Sequence, residues 1–250
     1  MNIKSHIPNL FTLANLFSGT IAAMHAVLGH YELTAIFVVI GIFFDFLDGF
    51  IARLLGVSGE LGKQLDSLAD VVTSGLVPGL LMFLLIKNNV INGSNVEMKI
   101  AFGQFEPDFG YLPYIAFLLT IAAGYRLAKF NLDEDQQSYF KGLPTPANAL
   151  LILSLPLIME FQNNDTINAN ILNPWFLVGL TLASCYLLNS NIKLFALKFK
   201  DWSFKNNAAR YVFLILSIVL LILLHFAAIP LVIVLYILMS VFDGGFKKEK

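Results

Sequence analysis

"LTAIFVVIGIFFDFLDGFIAR", residues 33–53, opens as an unbroken apolar run and closes with two aspartates and an arginine. As a helix it would extend about 32 Å, the thickness of a bilayer's hydrocarbon core. Comparable runs recur near residues 10–28, 67–87, 111–128, 147–161, 174–189, 211–228 and 230–242. They are continuous and do not alternate, which argues for helices over a β-barrel. With 57% hydrophobic residues, 13% charged residues and a mean hydropathy of +0.73, the 250-residue chain is too apolar to close over itself in water. The expectation is an all-α fold: one polytopic integral membrane domain over residues 1–250, with about eight transmembrane helices.

Charge sets the orientation. With eight spans, one side receives Lys4, Arg53, Lys63, Arg126, Lys129, Lys141, Lys193, Lys198, Lys200, Lys205, Arg210, Lys247, Lys248 and Lys250, which is 14 of the 16 basic residues. The other keeps Lys87 and Lys99, so the positive-inside rule puts both termini in the cytoplasm. Residues 211–242 as one helix kinked at Pro230 would strand the last three lysines outside, which favours two helices there. A signal peptide is not expected, because Asn9, Thr12, Asn15 and Ser18 interrupt the first apolar run. The net charge of −1 gives no reason for a nucleic-acid partner, and anionic lipid headgroups suffice to explain the basic loops. Cys185 is the sole cysteine, which excludes an internal disulfide, and His6, His25, His30 and His225 lack zinc-site spacing.

The charged end of the opening stretch continues to residue 70 as "DFLDGFIARLLGVSGELGKQLDSLAD". Helical spacing places Asp45, Asp48, Gly49, Ala52 and Arg53 on one stripe, and Gly62, Asp66 and Asp70 on another. Gly56 and Gly59 mark a break between two helices that could turn their carboxylates to one cavity. Carboxylates near hydrocarbon cost several kcal/mol each. Arg53 and Lys63 cannot balance four aspartates and Glu60, so one or two divalent cations are the economical complement, and hard cations such as Mg²⁺ suit oxygen ligands. Gly49, Ala52 and Gly62 leave the helix surface bare, for tight packing or for a flat ligand. Arg53 beside a metal cluster has the planar fork that a diphosphate requires.

The pattern D-x2-D-G-x2-A-R-x8-G-x3-D-x3-D, matched at all eight positions from Asp45 to Asp70, resembles the signature of the CDP-alcohol phosphotransferases. That resemblance implies that Asp45, Asp48, Asp66 and Asp70 hold two divalent ions, Mg²⁺ or Mn²⁺. It implies that Gly49, Ala52, Arg53 and Gly62 bind a CDP-linked lipid and that Asp70 takes the proton of the incoming alcohol. "IPNLFTLANLFSG" (7–19), "YRLAKFN" (125–131) and "FKGLPTPANA" (140–149) are similar to the phosphatidylserine synthases of this family. The implied substrates are CDP-diacylglycerol and L-serine, the products phosphatidylserine and CMP, and the implied assembly a homodimer in the cytoplasmic membrane with its active site facing the cytoplasm.

Acceptor binding is expected within 125–149. Arg126 or Lys129 could meet the serine carboxylate, or simply mark the membrane boundary; Asn131 could line the same mouth. Asn9, Thr12 and Asn15 form a polar stripe that could reach cytidine or the metal site, or bond helix to helix. Another acceptor, glycerol 3-phosphate or inositol, would keep the chemistry, although a phosphorylated one demands more basic residues at the mouth. Divalent-cation transport would also use intramembrane aspartates. Against it, no acidic path continues across the chain and Arg53 has no role in one.

Overall fold

The computed structural model describes residues 3–57, 59–92, 110–132, 139–162, 164–195 and 204–246. Lys99, Lys198, Lys200, Lys247, Lys248 and Lys250 lie outside these residues, as does part of the 125–149 segment. The chain is helical, and its apolarity is turned outward. Phe17 is 68% and Ile222 69% exposed, whereas Asn15, Thr34 and Thr181 are fully buried. A chain that shows lipid its apolar side chains and keeps polar ones inside is a multi-pass membrane protein.

Helices α1 (Ile3–Val27) and α2 (Tyr31–Leu55) pack along their lengths. Gly56, at φ 63°, ends α2 and returns its N–H to the Ala52 and Arg53 carbonyls, a left-handed cap that glycine adopts without strain. Helix α3 (Glu60–Asp70) follows, then a widened π-helical turn over Val71–Leu76, then α4 (Val77–Asn92). Pro78 has no N–H to give the Ser74 carbonyl four residues back, and the wide turn lies where that bond is missing. Gly75 inside the turn and Gly79 just beyond it present bare backbone to the next helix. A Cβ on Gly79 would stand 2.6 Å from Thr120 Oγ1, and that hydroxyl donates to the Gly75 carbonyl at 3.1 Å. The partner is α5 (Leu118–Leu132), entered through a 3₁₀ turn over Leu112–Phe117.

Strand β1 (Tyr139–Lys141) pairs antiparallel with β2 (Lys193–Phe195). Between them come α6 (Thr145–Phe161), α7 (Asp165–Ile171) and α8 (Pro174–Asn189), the last capped by the Asn173 side chain. Helices α9 (Phe204–Leu224) and α10 (Ala228–Phe246) complete the bundle. By length and composition five helices can cross a membrane, or six if the bent α7–α8 pair is one span; Asn207–Phe242 counts there as a single stretch. That stretch nevertheless folds back on itself. The Phe213 and Tyr236 rings lie 5.5 Å apart, whereas a straight helix would separate them by about 34 Å. The reversal falls at His225–Ala227, with His225 at φ 47°. Gln162 holds it from both sides, donating to the Leu224 carbonyl at 3.0 Å and accepting from the Ala227 N–H at 2.8 Å.

The ribbon is fixed to the bundle at Gly142. This residue sits at φ +72°, and a Cβ there would lie 2.5 Å from the Leu188 carbonyl oxygen and 2.9 Å from that of Leu187. Gly142→Ala is therefore expected to cost roughly 1–3 kcal/mol and lower the thermal midpoint of the detergent-solubilised protein. Gly59→Ala, where a Cβ meets nothing within 4 Å, should leave the midpoint unchanged. Equal midpoints for the two variants would contradict this reading.

Candidate functional site

The break at Gly56–Gly59 lets α2 and α3 face each other at one end of the bundle, and their carboxylates meet. Asp45, Asp48 and Asp66 each offer an oxygen within 4.8 Å of the others. Asp66 Oδ1 is a buried oxygen with no hydrogen-bond partner. Three carboxyl groups this close cannot all be charged unless a cation lies among them. An all-oxygen donor set with an unpaired buried oxygen fits a hard divalent ion such as Mg²⁺ or Mn²⁺.

Asp70 stands apart from this triad. Buried at 8% exposure, it accepts a hydrogen bond from Asn15 Nδ2 at 3.1 Å, and the charges of Asp66 and Asp48 act on it. Helix α1 thus supplies one polar partner to each wall: Thr12 donates to Asp48 Oδ2 at 2.5 Å, and Asn15 to Asp70. Asn9, one turn earlier, approaches Gly62, whose Cβ would stand 3.2 Å from Asn9 Oδ1. The polar stripe on α1 is therefore a set of contacts to the aspartate helices. Gly62 gives Asn9 its space, so helix packing already accounts for this glycine.

Arg53 is exposed, and its guanidinium lies over Gly49; a Cβ there would come 3.4 Å from Arg53 Nη1. Its charge bears on Asp48. Ala52 is half-buried on the same stripe. An exposed cation at the rim beside a carboxylate cluster can pair with an anion bridging the two.

On the far side of Asp70 lies Arg126, 8% exposed, with a buried Nε that has no hydrogen-bond partner. Asp70 and Tyr236 are the ionisable groups that bear on it. With Lys129, Phe130, Lys141, Leu188, Asn189 and Ser190 it lines a small pocket of mixed character where α5, β1 and the end of α8 converge. Asn131, expected at the same mouth, is engaged elsewhere. Its Nδ2 donates to Ser67 Oγ at 2.8 Å and its carbonyl accepts from Lys63 Nζ at 3.3 Å, which ties α5 to α3.

Lys141 falls in the expected 125–149 segment, but Asn189 and Ser190 carried no signal in the sequence, because the ribbon that brings them beside Arg126 pairs segments more than fifty residues apart. Thr73, three residues after Asp70, is fully buried and donates to Asn15 Oδ1 at 2.7 Å, with Gly19 and Gly41 on other helices leaving it room, a contact that the sequence did not signal.

The sequence model of the CDP-alcohol phosphatidyltransferase family matches residues 5–238. The CDP-diacylglycerol–serine O-phosphatidyltransferase of Bacillus subtilis (strain 168) is 30% identical over 190 residues, covering 76% of this chain and 89% of the relative. Its namesake in Helicobacter pylori (strain J99) is 29% identical over 200 residues, covering 79% and 75%. The archaetidylserine synthase of Methanothermobacter thermautotrophicus is 28% identical over 155 residues, covering 60% and 58%. With the family match spanning nearly the whole chain and the aspartates assembled at one end of an apolar bundle, this protein belongs to the CDP-alcohol phosphatidyltransferase family.

Proposed function

We propose that this enzyme transfers the phosphatidyl group of CDP-diacylglycerol to the hydroxyl of L-serine, giving phosphatidylserine and CMP. The observation that carries the proposal is the order Arg53, aspartate triad, Asp70, Arg126. It offers in succession a place for a diphosphate, a base and a cation for the acceptor's carboxylate. The relatives named for serine support the choice of acceptor.

Arg53 moves off Gly49 to close on the diphosphate from the rim, and the helix surface at Gly49, Ala52 and Gly62, with Asn9 and Thr12 beside it, takes the nucleotide end. Thr12 holds Asp48 in its rotamer. Asp45, Asp48, Asp66 and Asp70 would hold two divalent ions, Mg²⁺ or Mn²⁺, which would supply positive charge to the diphosphate and to the departing CMP. Arg126 pairs with the serine carboxylate, and Lys129 adds charge at the mouth. Asp70 accepts the serine hydroxyl proton as the oxygen bonds to the lipid-side phosphorus. The bond from that phosphorus to the bridging oxygen breaks, and CMP leaves with the electron pair.

The basic-residue distribution supports eight spans, both termini in the cytoplasm and an active site facing the cytoplasm from the cell membrane. The family resemblance supports a homodimer. Asn131 is a brace between α3 and α5 in this reading and needs no contact with serine. One observation favours a phosphorylated acceptor such as glycerol 3-phosphate: Lys141 joins Arg126 and Lys129, making three basic side chains around one pocket.

CMP release from CDP-diacylglycerol in detergent, with serine, glycerol 3-phosphate and inositol supplied separately, decides between them. Serine-dependent release matched by phosphatidylserine is the expected result; release with glycerol 3-phosphate alone would overturn the acceptor. Asp70→Asn should abolish turnover and keep CDP-lipid binding, while Arg53→Ala should weaken that binding roughly tenfold or more. Arg126→Met should raise the KM for serine at least tenfold and leave the affinity for CDP-diacylglycerol within about twofold. An unchanged serine KM would remove Arg126 from the acceptor site.

A further inference from the structure

Asn15 and Thr73 are both fully buried, and neither belongs to the aspartate pattern. Thr73 Oγ1 lies 2.7 Å from Asn15 Oδ1 and 3.3 Å from the Asn15 carbonyl oxygen, and Asn15 Nδ2 lies 3.1 Å from Asp70 Oδ1. An amide can in principle sit either way round. Here it has one arrangement: a carboxylate accepts only, so the NH₂ must face Asp70, and the amide oxygen then faces Thr73, whose hydroxyl donates to it.

The chain makes room for this hydroxyl at two places. A Cβ on Gly19 of α1 would stand 2.3 Å from Thr73 Oγ1. One on Gly41 of α2 would stand 2.8 Å from Thr73 Cγ2 and 2.9 Å from Asn15 Oδ1. Two helices are thus bare where the third inserts Thr73. Thr73 itself sits in the π-helical turn that begins one residue after Asp70, so the widened backbone and the hydroxyl seat adjoin the carboxylate directly.

We infer that Thr73 and Asn15 are positioning residues for Asp70: Thr73, seated between Gly19 and Gly41, fixes the Asn15 amide, which occupies Asp70 Oδ1 and leaves Oδ2 to receive the acceptor's proton. The inference rests on the reading of Asp70 as the base. It assigns the two glycines a role in catalytic geometry, since each makes space for a side chain two contacts away from the reacting atoms.

Thr73→Val keeps the volume of the side chain and removes the hydroxyl, so the helices stay packed. Its kcat should fall roughly tenfold while the KM for CDP-diacylglycerol and for the acceptor stay within about twofold, and Thr73→Ser should restore kcat to within about twofold of the parent. Asn15→Leu should lower kcat at least as far. The double variant should be no slower than Asn15→Leu alone, because Thr73 acts through Asn15. CDP-lipid binding, measured without acceptor, checks that each variant is folded. An unchanged kcat in Thr73→Val, a Thr73→Ser variant as slow as Thr73→Val, or additive losses in the double variant would each overturn the inference. Asp70→Asn, assayed alongside, separates the two claims: if it turns over at the parental rate the base assignment fails, whereas a dead Asp70→Asn with a fully active Thr73→Val sinks the positioning role alone.

Discussion

Carboxylates on apolar helices cannot face hydrocarbon, and most of this architecture follows from that constraint. Asp45 and Asp48 come near the end of α2, Asp66 and Asp70 in α3, and both pairs must point inward at the same level. The short Gly56–Gly59 turn allows it by reversing the chain at once. Helix α1 then supplies Thr12 and Asn15 as neutral hydrogen-bond donors, which satisfy carboxylate oxygens without adding charge. These polar side chains are kept inside, next to an apolar core that includes Leu81, Ile86 and Ile152, while other apolar side chains such as Phe17 and Ile222 cover the surface.

Close approach of helices does the remaining work. Without a hydrophobic force between helices in lipid, association depends on packing and on hydrogen bonds between neighbours. Gly75 and Gly79 let Thr120 reach backbone, and Gly19 and Gly41 let Thr73 reach Asn15. Thr73 and Gly75 both lie in the widened turn between α3 and α4, so the two devices meet there. That turn is where Asp70 changes from an intramembrane charge into part of a network with fixed orientation.

The aspartate site was legible because its two halves are local. Positions three and four apart share a helical face, and a glycine pair marks the reversal, so residues 45–70 alone turn the two aspartate pairs towards each other, whereas the setting apart of Asp70 depends on Asn15 of α1. The fold-back of residues 211–242 was legible from charge, and Gln162 and His225 give it a physical basis that no periodicity would reveal. Asn131 sat in the right segment but turns toward Ser67 in place of the pocket. Direction around a helix end depends on its neighbours, which one segment does not specify. Lys141 and Asn189 meet Arg126 only through a ribbon closed by Gly142, and the Thr73 seat requires two glycines on separate helices. Long-range close approach of this kind leaves no pattern in a single sequence.

The central claim is that the carboxylates between α2 and α3 hold divalent ions and that the diphosphate of a CDP compound lies between them and Arg53. Anomalous scattering from Mn²⁺ in crystals grown with CDP, or the equivalent difference density by electron microscopy, tests this most directly. The account predicts metal density coordinated by Asp45, Asp48 and Asp66, with the diphosphate against Arg53. Metal bound elsewhere, or CDP seated away from Arg53 with these aspartates metal-free, would contradict it.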